Sequence, residues 1–102
     1  MIDYIDKAYY INLDYRTDRK EFFENQINKL GLEVERYEAV KLNLNQIDNP
    51  FNDINWHKKM ACCQSHINII KLAKKKNLRN VWILEDDCVF VDNFLEKAQA
   101  CI

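Results

Sequence analysis

The apolar run Val81-Trp82-Ile83-Leu84 passes without a break into three adjacent carboxylates, Glu85-Asp86-Asp87. Four consecutive apolar residues with no alternation predict a central strand covered on both faces. Strands of that kind belong to parallel sheets, and parallel neighbours must be joined by crossover helices. That requirement restricts what the remaining residues can form.

They meet it. Ala8-Tyr9-Tyr10-Ile11-Asn12-Leu13 is a second apolar and aromatic run, predicted as a buried strand. Asp14 to Thr17 turns the chain, with Asp14 or Thr17 as cap of the helix that follows. Phe23, Ile27 and Leu30 form its buried stripe with Phe22 on the flank, and Gly31, the only glycine, marks its left-handed end. Val34 to Val40 is another strand candidate. Lys41 to Trp56, rich in Asn and holding Pro50, reads as a loop long enough to suggest a functional role. A second helix is predicted from about His57 to Lys76, with Met60, Cys63, Ile67 and Ile70 as its main apolar face and Asn77 as its stop. Asp92 or Asn93 is placed to cap a last helix to about Ala100, with Glu96 as capping-box partner of Asn93. The order β-α-β-loop-α-β-α predicts an α/β fold, a parallel sheet with helices on both faces.

At 102 residues the chain is one small domain at most, and 48% hydrophobic residues are enough for a core. Lys and Arg number 15 against 16 Asp and Glu, so charge gives no pull toward nucleic acid. The run Lys74-Lys75-Lys76 suits the solvated end of a helix, where cations favour the dipole. The cysteines, Cys62, Cys63, Cys88 and Cys101, form no CxxC and no zinc spacing, and adjacent Cys62 and Cys63 are poorly placed to pair. Reduced thiols and an acidic N-terminus without a signal-peptide pattern lead to an expected cytoplasmic location. No stretch approaches the roughly 20 apolar residues of a membrane span.

Three places carry residues suited to chemistry. Ligands of open α/β sheets bind beyond the carboxyl ends of the strands, which is where Glu85-Asp86-Asp87 falls. Three carboxylates there repel one another unless a divalent cation neutralises them. Oxygen ligands of this type suit Mg²⁺ or Mn²⁺, with substrate phosphates completing the shell. Arg16-Thr17-Asp18-Arg19 puts cations at a helix N-terminus, against the dipole. That arrangement makes sense where an anion also binds, and equally where Asp14 and Asp18 pair with the arginines. Cys62 and His66 are four apart and share a helix side with Ile69. They suggest a nucleophilic pair that lacks an orienting third group, or else packing residues.

In order along the chain stand Tyr10-Ile11-Asn12-Leu13-Asp14-Tyr15-Arg16-Thr17-Asp18-Arg19, Arg36-Tyr37-Glu38-Ala39-Val40, Cys62-Cys63-Gln64-Ser65-His66 and Trp82-Ile83-Leu84-Glu85-Asp86-Asp87. These segments resemble glycosyltransferase family 25, which includes lipopolysaccharide-chain glycosyltransferases and procollagen galactosyltransferases. The resemblance implies a Rossmann-like GT-A nucleotide-binding topology across residues 1–102. It also implies transfer of a hexose, commonly galactose, from a UDP-sugar to a glycan or protein acceptor. By the same resemblance Asp87 would ligate the metal directly, with Asp86 supporting it or holding the ribose. Asn12, Arg16 and Arg19 would line the nucleotide pocket, Ser65 and His66 would lie beside it, and Glu85 and Asp86 would belong to the nucleotide-sugar site. Two positions depart from the family pattern: Ala61 stands where Gly is usual, and Lys59 where an acid is usual.

Family members continue well past the triplet, and that half supplies acceptor contacts and the general base. The chain is therefore expected to be the donor-binding N-terminal half, with no residue assigned as base. The competing expectation is an inactive remnant that binds a nucleotide or a partner protein. With no later strand to pair with Val81-Leu84, self-association or a partner chain is expected. A phospho-receiver domain also gathers acids at strand ends, but it needs them after its first strand, where this chain has Arg16 and Arg19.

Overall fold

The computed structural model describes residues 5–41, 54–91, 93, 94, 96 and 97. Its elements run β1 (Ala8–Asn12), α1 (Thr17–Leu30), β2 (Glu35–Glu38), α2 (Ile54–Lys75) and β3 (Trp82–Glu85). The three strands form one parallel sheet in the order β2-β1-β3. Among the described residues no helix is long and apolar enough to cross a membrane.

β1 is the central strand, and all five of its residues are buried. Its alternation divides the core in two. Tyr10 faces one side, packed with Phe23, Ile27, Leu32 and Leu84. Tyr9 and Ile11 face the other, packed with Ile69 of α2. The helices therefore cover opposite faces, as the element order requires. Tyr10 carries a hydroxyl into its layer without loss: the ring stacks on Phe23 and the hydroxyl donates to Glu24 Oε1 at 2.7 Å.

The acidic run thus follows an edge strand among the described residues, where the sequence suggested a central one. Val81, Trp82 and Ile83 are half-buried and only Leu84 is buried, because β3 pairs with β1 on one side alone. Trp82 gains cover from Phe94, stacked at 5.6 Å, and Phe94 in turn meets Phe90 edge-on at 4.8 Å.

α1 ends as its glycine dictates. Gly31 sits at φ 68°, its N–H reaches the Asn28 carbonyl and the Leu32 N–H reaches that of Ile27. This double bond pattern brings Leu32 onto Ile27, so the cap also closes the core. The start differs from expectation. Arg16 occupies the N-cap and no side chain caps the helix, because Asp14 is drawn off to Lys41 at 2.6 Å. α2 begins at Ile54, three residues before the predicted start, and closes with the same pattern at Asn77, whose φ is 57°.

The apolar face predicted for α2 is not the one it buries. Met60, Cys63, Ile67 and Ile70 are exposed, and Ser65, Ile69 and Ala73 are buried instead. Apolar residues are scattered around α2 among polar ones, so periodicity offers two stripes. The smaller side chains decide between them by letting the helix approach the sheet. Ser65 Oγ accepts from the Val40 N–H at 2.9 Å and donates to the Ala61 carbonyl at 3.1 Å, which satisfies a polar group in the contact layer. Of the predicted last helix, the Lys97 N–H donates to the Asn93 carbonyl at 3.0 Å. Residues 92, 95 and 98–100 of that helix, most of the loop from Lys41, and Cys101 lie outside the described residues.

Candidate functional site

Parallel strands direct their carboxyl ends to one edge, and here that edge holds a cleft of about 620 Å³. The turn after β1 supplies Leu13, Tyr15 and Arg16, and the first turn of α1 adds Arg19. Ala39, Val40 and Lys41 after β2 form a second wall, and α2 adds Lys58, Ala61, Cys62 and Ser65. Glu85, Asp86 and Asp87 close it from the end of β3. Four cationic side chains and three carboxylates therefore share one concavity, the position where open α/β sheets bind ligands.

The three acids are not equivalent. Asp86 is buried, while Glu85 and Asp87 are exposed. Asp86 Oδ2 accepts from Asn12 Nδ2 at 2.8 Å, and Oδ1 meets Arg19 Nη1 at 3.5 Å. Asn12 also donates to the Arg16 carbonyl at 3.1 Å. Its own Oδ1 accepts from Arg36 Nε at 3.0 Å, while Arg36 Nη2 reaches the Asn12 carbonyl and Glu38. One buried amide thus ties the end of β1 to the turn before α1, to β2 and to the acidic run. Asn12 lies beneath the cleft and is not among the groups that line it.

The two arginines are placed differently. Arg19 leans toward Asp86 across the cleft. Arg16 is paired with Asp18 through Nε at 3.0 Å and Nη2 at 3.1 Å, a fork that holds the Asp18 carboxyl down at about 2. Of the two alternatives for this segment, a self-satisfied surface pair describes Arg16 and an inward-facing cation describes Arg19. Asp14, the other acid considered as their partner, binds Lys41 instead.

Ser65 lines the cleft, and His66 stands beside it with Nε2 3.7 Å from Glu85 Oε1. Glu85 is the third group that Cys62 and His66 lack in sequence: the Cys62 thiol donates to Glu85 Oε1 at 3.1 Å. The arrangement does not activate the sulfur. Partial desolvation, then the hydrogen bond to Glu85, pushes the thiol up to about 11, so the thiolate is scarce near neutral pH. A nucleophilic Cys–His pair is not what this geometry forms.

Sequence reasoning assigned no role to Arg36, Lys41, Lys58 or Gln26. Gln26 clamps the segment after the triplet, donating to the Cys88 carbonyl and accepting from the Phe90 N–H, both at 2.9 Å. A long-range pairing of a helix amide with an irregular segment leaves no periodic signal. Arg36 could have been noticed, since a strand residue opposite Tyr10 in the register sits in the buried part of the sheet and must find a partner there.

A family model described as Glycosyltransferase family 25 (LPS biosynthesis protein) matches residues 5–102. A Drosophila melanogaster protein named Glycosyltransferase 25 family member is 30% identical over 109 residues, covering 92% of this chain and 18% of that protein. A Drosophila pseudoobscura pseudoobscura protein of the same name is 30% identical, covering 92% of this chain and 17% of its own length. The chain thus spans less than a fifth of these relatives. No solved structure matches it.

Proposed function

The chain belongs to glycosyltransferase family 25, and from that premise we propose that the cleft binds the nucleoside diphosphate of a sugar donor. The reaction it serves is transfer of a hexose, galactose in the family's common case, from a UDP-sugar to a glycan or protein acceptor. The fold then corresponds to the nucleotide-binding part of a GT-A topology. One observation carries the reading: Arg16, Arg19, Asp86 and Asp87 all line a single cleft at the carboxyl ends of β1 and β3. Arg19 and Asp86 meet at 3.5 Å, and beyond that pair the cations and carboxylates line an open space suited to an anion and a cation together.

The residues present fit a hard divalent cation such as Mn²⁺ or Mg²⁺, because the donors are carboxylate oxygens and Asp87 is exposed at the cleft. Asp87 would hold it, with Asp86 beside it. When bound, the cation supplies charge neutralisation for the leaving diphosphate.

The chain's own groups then have distinct duties. Arg19 contacts phosphate oxygens as charge develops on the leaving group. Arg16 joins it by leaving its exposed pairing with Asp18, which costs little because surface ion pairs contribute little. Asn12 fixes the Asp86 carboxylate and the Arg16 carbonyl, so the anion-facing and cation-facing sides of the cleft keep one separation. Ser65 holds α2 against Val40 and shapes the wall opposite the triplet.

Equilibrium binding of UDP, uridine, other nucleoside diphosphates and inorganic phosphate tests the reading. UDP binding tightest, and weakened when the metal is chelated, is the expected result. Equal and weak binding of all of them refutes it.

A further inference from the structure

Cys62, His66 and Glu85 bring a sulfur, an imidazole nitrogen and a carboxylate oxygen within 4.8 Å of one another. We propose that these three side chains form a zinc site that pins α2 to the end of β3, separate from the cation expected at Asp87.

The placement comes from two elements. Cys62 and His66 are one turn apart on α2, so both project from the same side of the helix. Ile69, fully buried on that side, and Ser65, bonded to Val40, fix how α2 sits on the sheet. Glu85 is the last residue of β3, in register with Ile11 of the central strand. The ligand atoms thus sit on regular secondary structure rather than on loops.

Two of the separations lie close to those the ion requires, and all three lie within 4.8 Å. Around a tetrahedral zinc with ordinary bond lengths, a sulfur and an oxygen lie about 3.5 Å apart and a nitrogen and an oxygen about 3.3 Å. Here Cys62 Sγ is 3.1 Å from Glu85 Oε1 and His66 Nε2 is 3.7 Å from the same oxygen. Small side-chain adjustments convert one set into the other. On binding, the thiol proton leaves to solvent and the sulfur, which now donates to Glu85, becomes a ligand. Three protein donors leave a fourth position for water, and Cys62 lines the cleft, so that position is reachable.

The donor set also separates this site from the acidic one. A thiolate with an imidazole selects zinc or cobalt over Mg²⁺ and Mn²⁺, which prefer all-oxygen shells. The two sites therefore respond to different metals and different substitutions, and this inference does not depend on sugar-nucleotide binding.

Cobalt titration of the full chain under reducing conditions tests it, because cobalt in such a site shows a thiolate-to-metal charge-transfer band. The account expects the band at one equivalent, displacement of cobalt by zinc, and unchanged binding in Cys63→Ser. Cys62→Ser should abolish the band, and His66→Gln should weaken binding about a hundredfold or more, beyond what loss of an outer-sphere partner costs. Circular dichroism checks that each variant keeps its helices, and should Cys62→Ser unfold, His66→Gln provides the deciding comparison. No charge-transfer band, or a band lost in Cys63→Ser and kept in Cys62→Ser, overturns the proposal.

Discussion

Asn12 Nδ2 donates to Asp86 Oδ2 at 2.8 Å across 74 residues of sequence, joining the end of the central strand to the middle acid of the triplet. The bond is buried, and both partners have further attachments: Asn12 to Arg36 and the Arg16 carbonyl, Asp86 to Arg19. A hydrogen-bonded group of this kind makes the cleft rigid at its floor while its rim stays open.

Asn12→Ala should therefore be costly to the fold. It leaves a buried carboxylate short of a donor and the Arg36 guanidinium short of an acceptor, together about 2–4 kcal/mol. Urea unfolding monitored by circular dichroism checks it. A loss below about 1 kcal/mol would mean that water replaces the amide.

The helix α2 supplies a comparison between neighbours. Ile69 is fully buried and Ile70 is 56% exposed. Ile69→Ala should cost about 2–5 kcal/mol, and Ile70→Ala should stay within about 0.5–1 kcal/mol. Equal losses, or the reverse order, would contradict the orientation of α2 and with it the placement of Cys62, Ser65 and His66.

The same pair shows what the sequence could and could not disclose. β1, the Gly31 and Asn77 helix ends, the parallel sense of the strands and the position of the triplet at a strand end were all legible, because each rests on local pattern or on one residue's backbone preference, whereas the edge position of β3 was not. The buried face of α2 was not, since Met60-Cys63-Ile67-Ile70 and Ser65-Ile69-Ala73 are both helical stripes and contact with the sheet chooses between them. The carboxylate triplet was visible as a cluster at the end of its strand, yet its internal division was not. That Asp86 is buried against Asn12 while Glu85 turns to Cys62 and His66 depends on pairings across 74, 23 and 19 positions, the last taken as 85 − 66. The capping role expected of Asp14 failed for a similar reason: Lys41, 27 residues away, binds it.

Asp18 carries a pH signature. Its fork with Arg16 holds the folded carboxyl at about 2, below its ordinary value of 3.8. A depressed folded value means that the contribution to stability is full above about pH 4 and is lost as pH falls through about 2. Carboxyl-selective NMR should find the Asp18 midpoint near 2, rising toward its ordinary value in Arg16→Ala while the Arg19 backbone N–H still holds it somewhat down. An unchanged midpoint in that variant would show that Arg16 is not the cause.

Arg19 should discriminate between a nucleotide's charge and its base. Contacts between a guanidinium and phosphate contribute about 1.5–3 kcal/mol, so Arg19→Ala should weaken UDP roughly tenfold to a hundredfold and scarcely alter uridine. Parallel weakening of both ligands would make Arg19 a prop for Asp86 and nothing more.

The cleft is proposed to hold a diphosphate and a divalent cation together between Arg19 and Asp87, and calorimetric titration of UDP in the presence of Mn²⁺ tests this most directly. The account predicts binding by the unsubstituted chain that disappears with chelator and falls by at least about tenfold in Asp87→Asn, a loss of roughly 1.4 kcal/mol or more. UDP affinity that is the same with Mn²⁺, with chelator and in Asp87→Asn would contradict it.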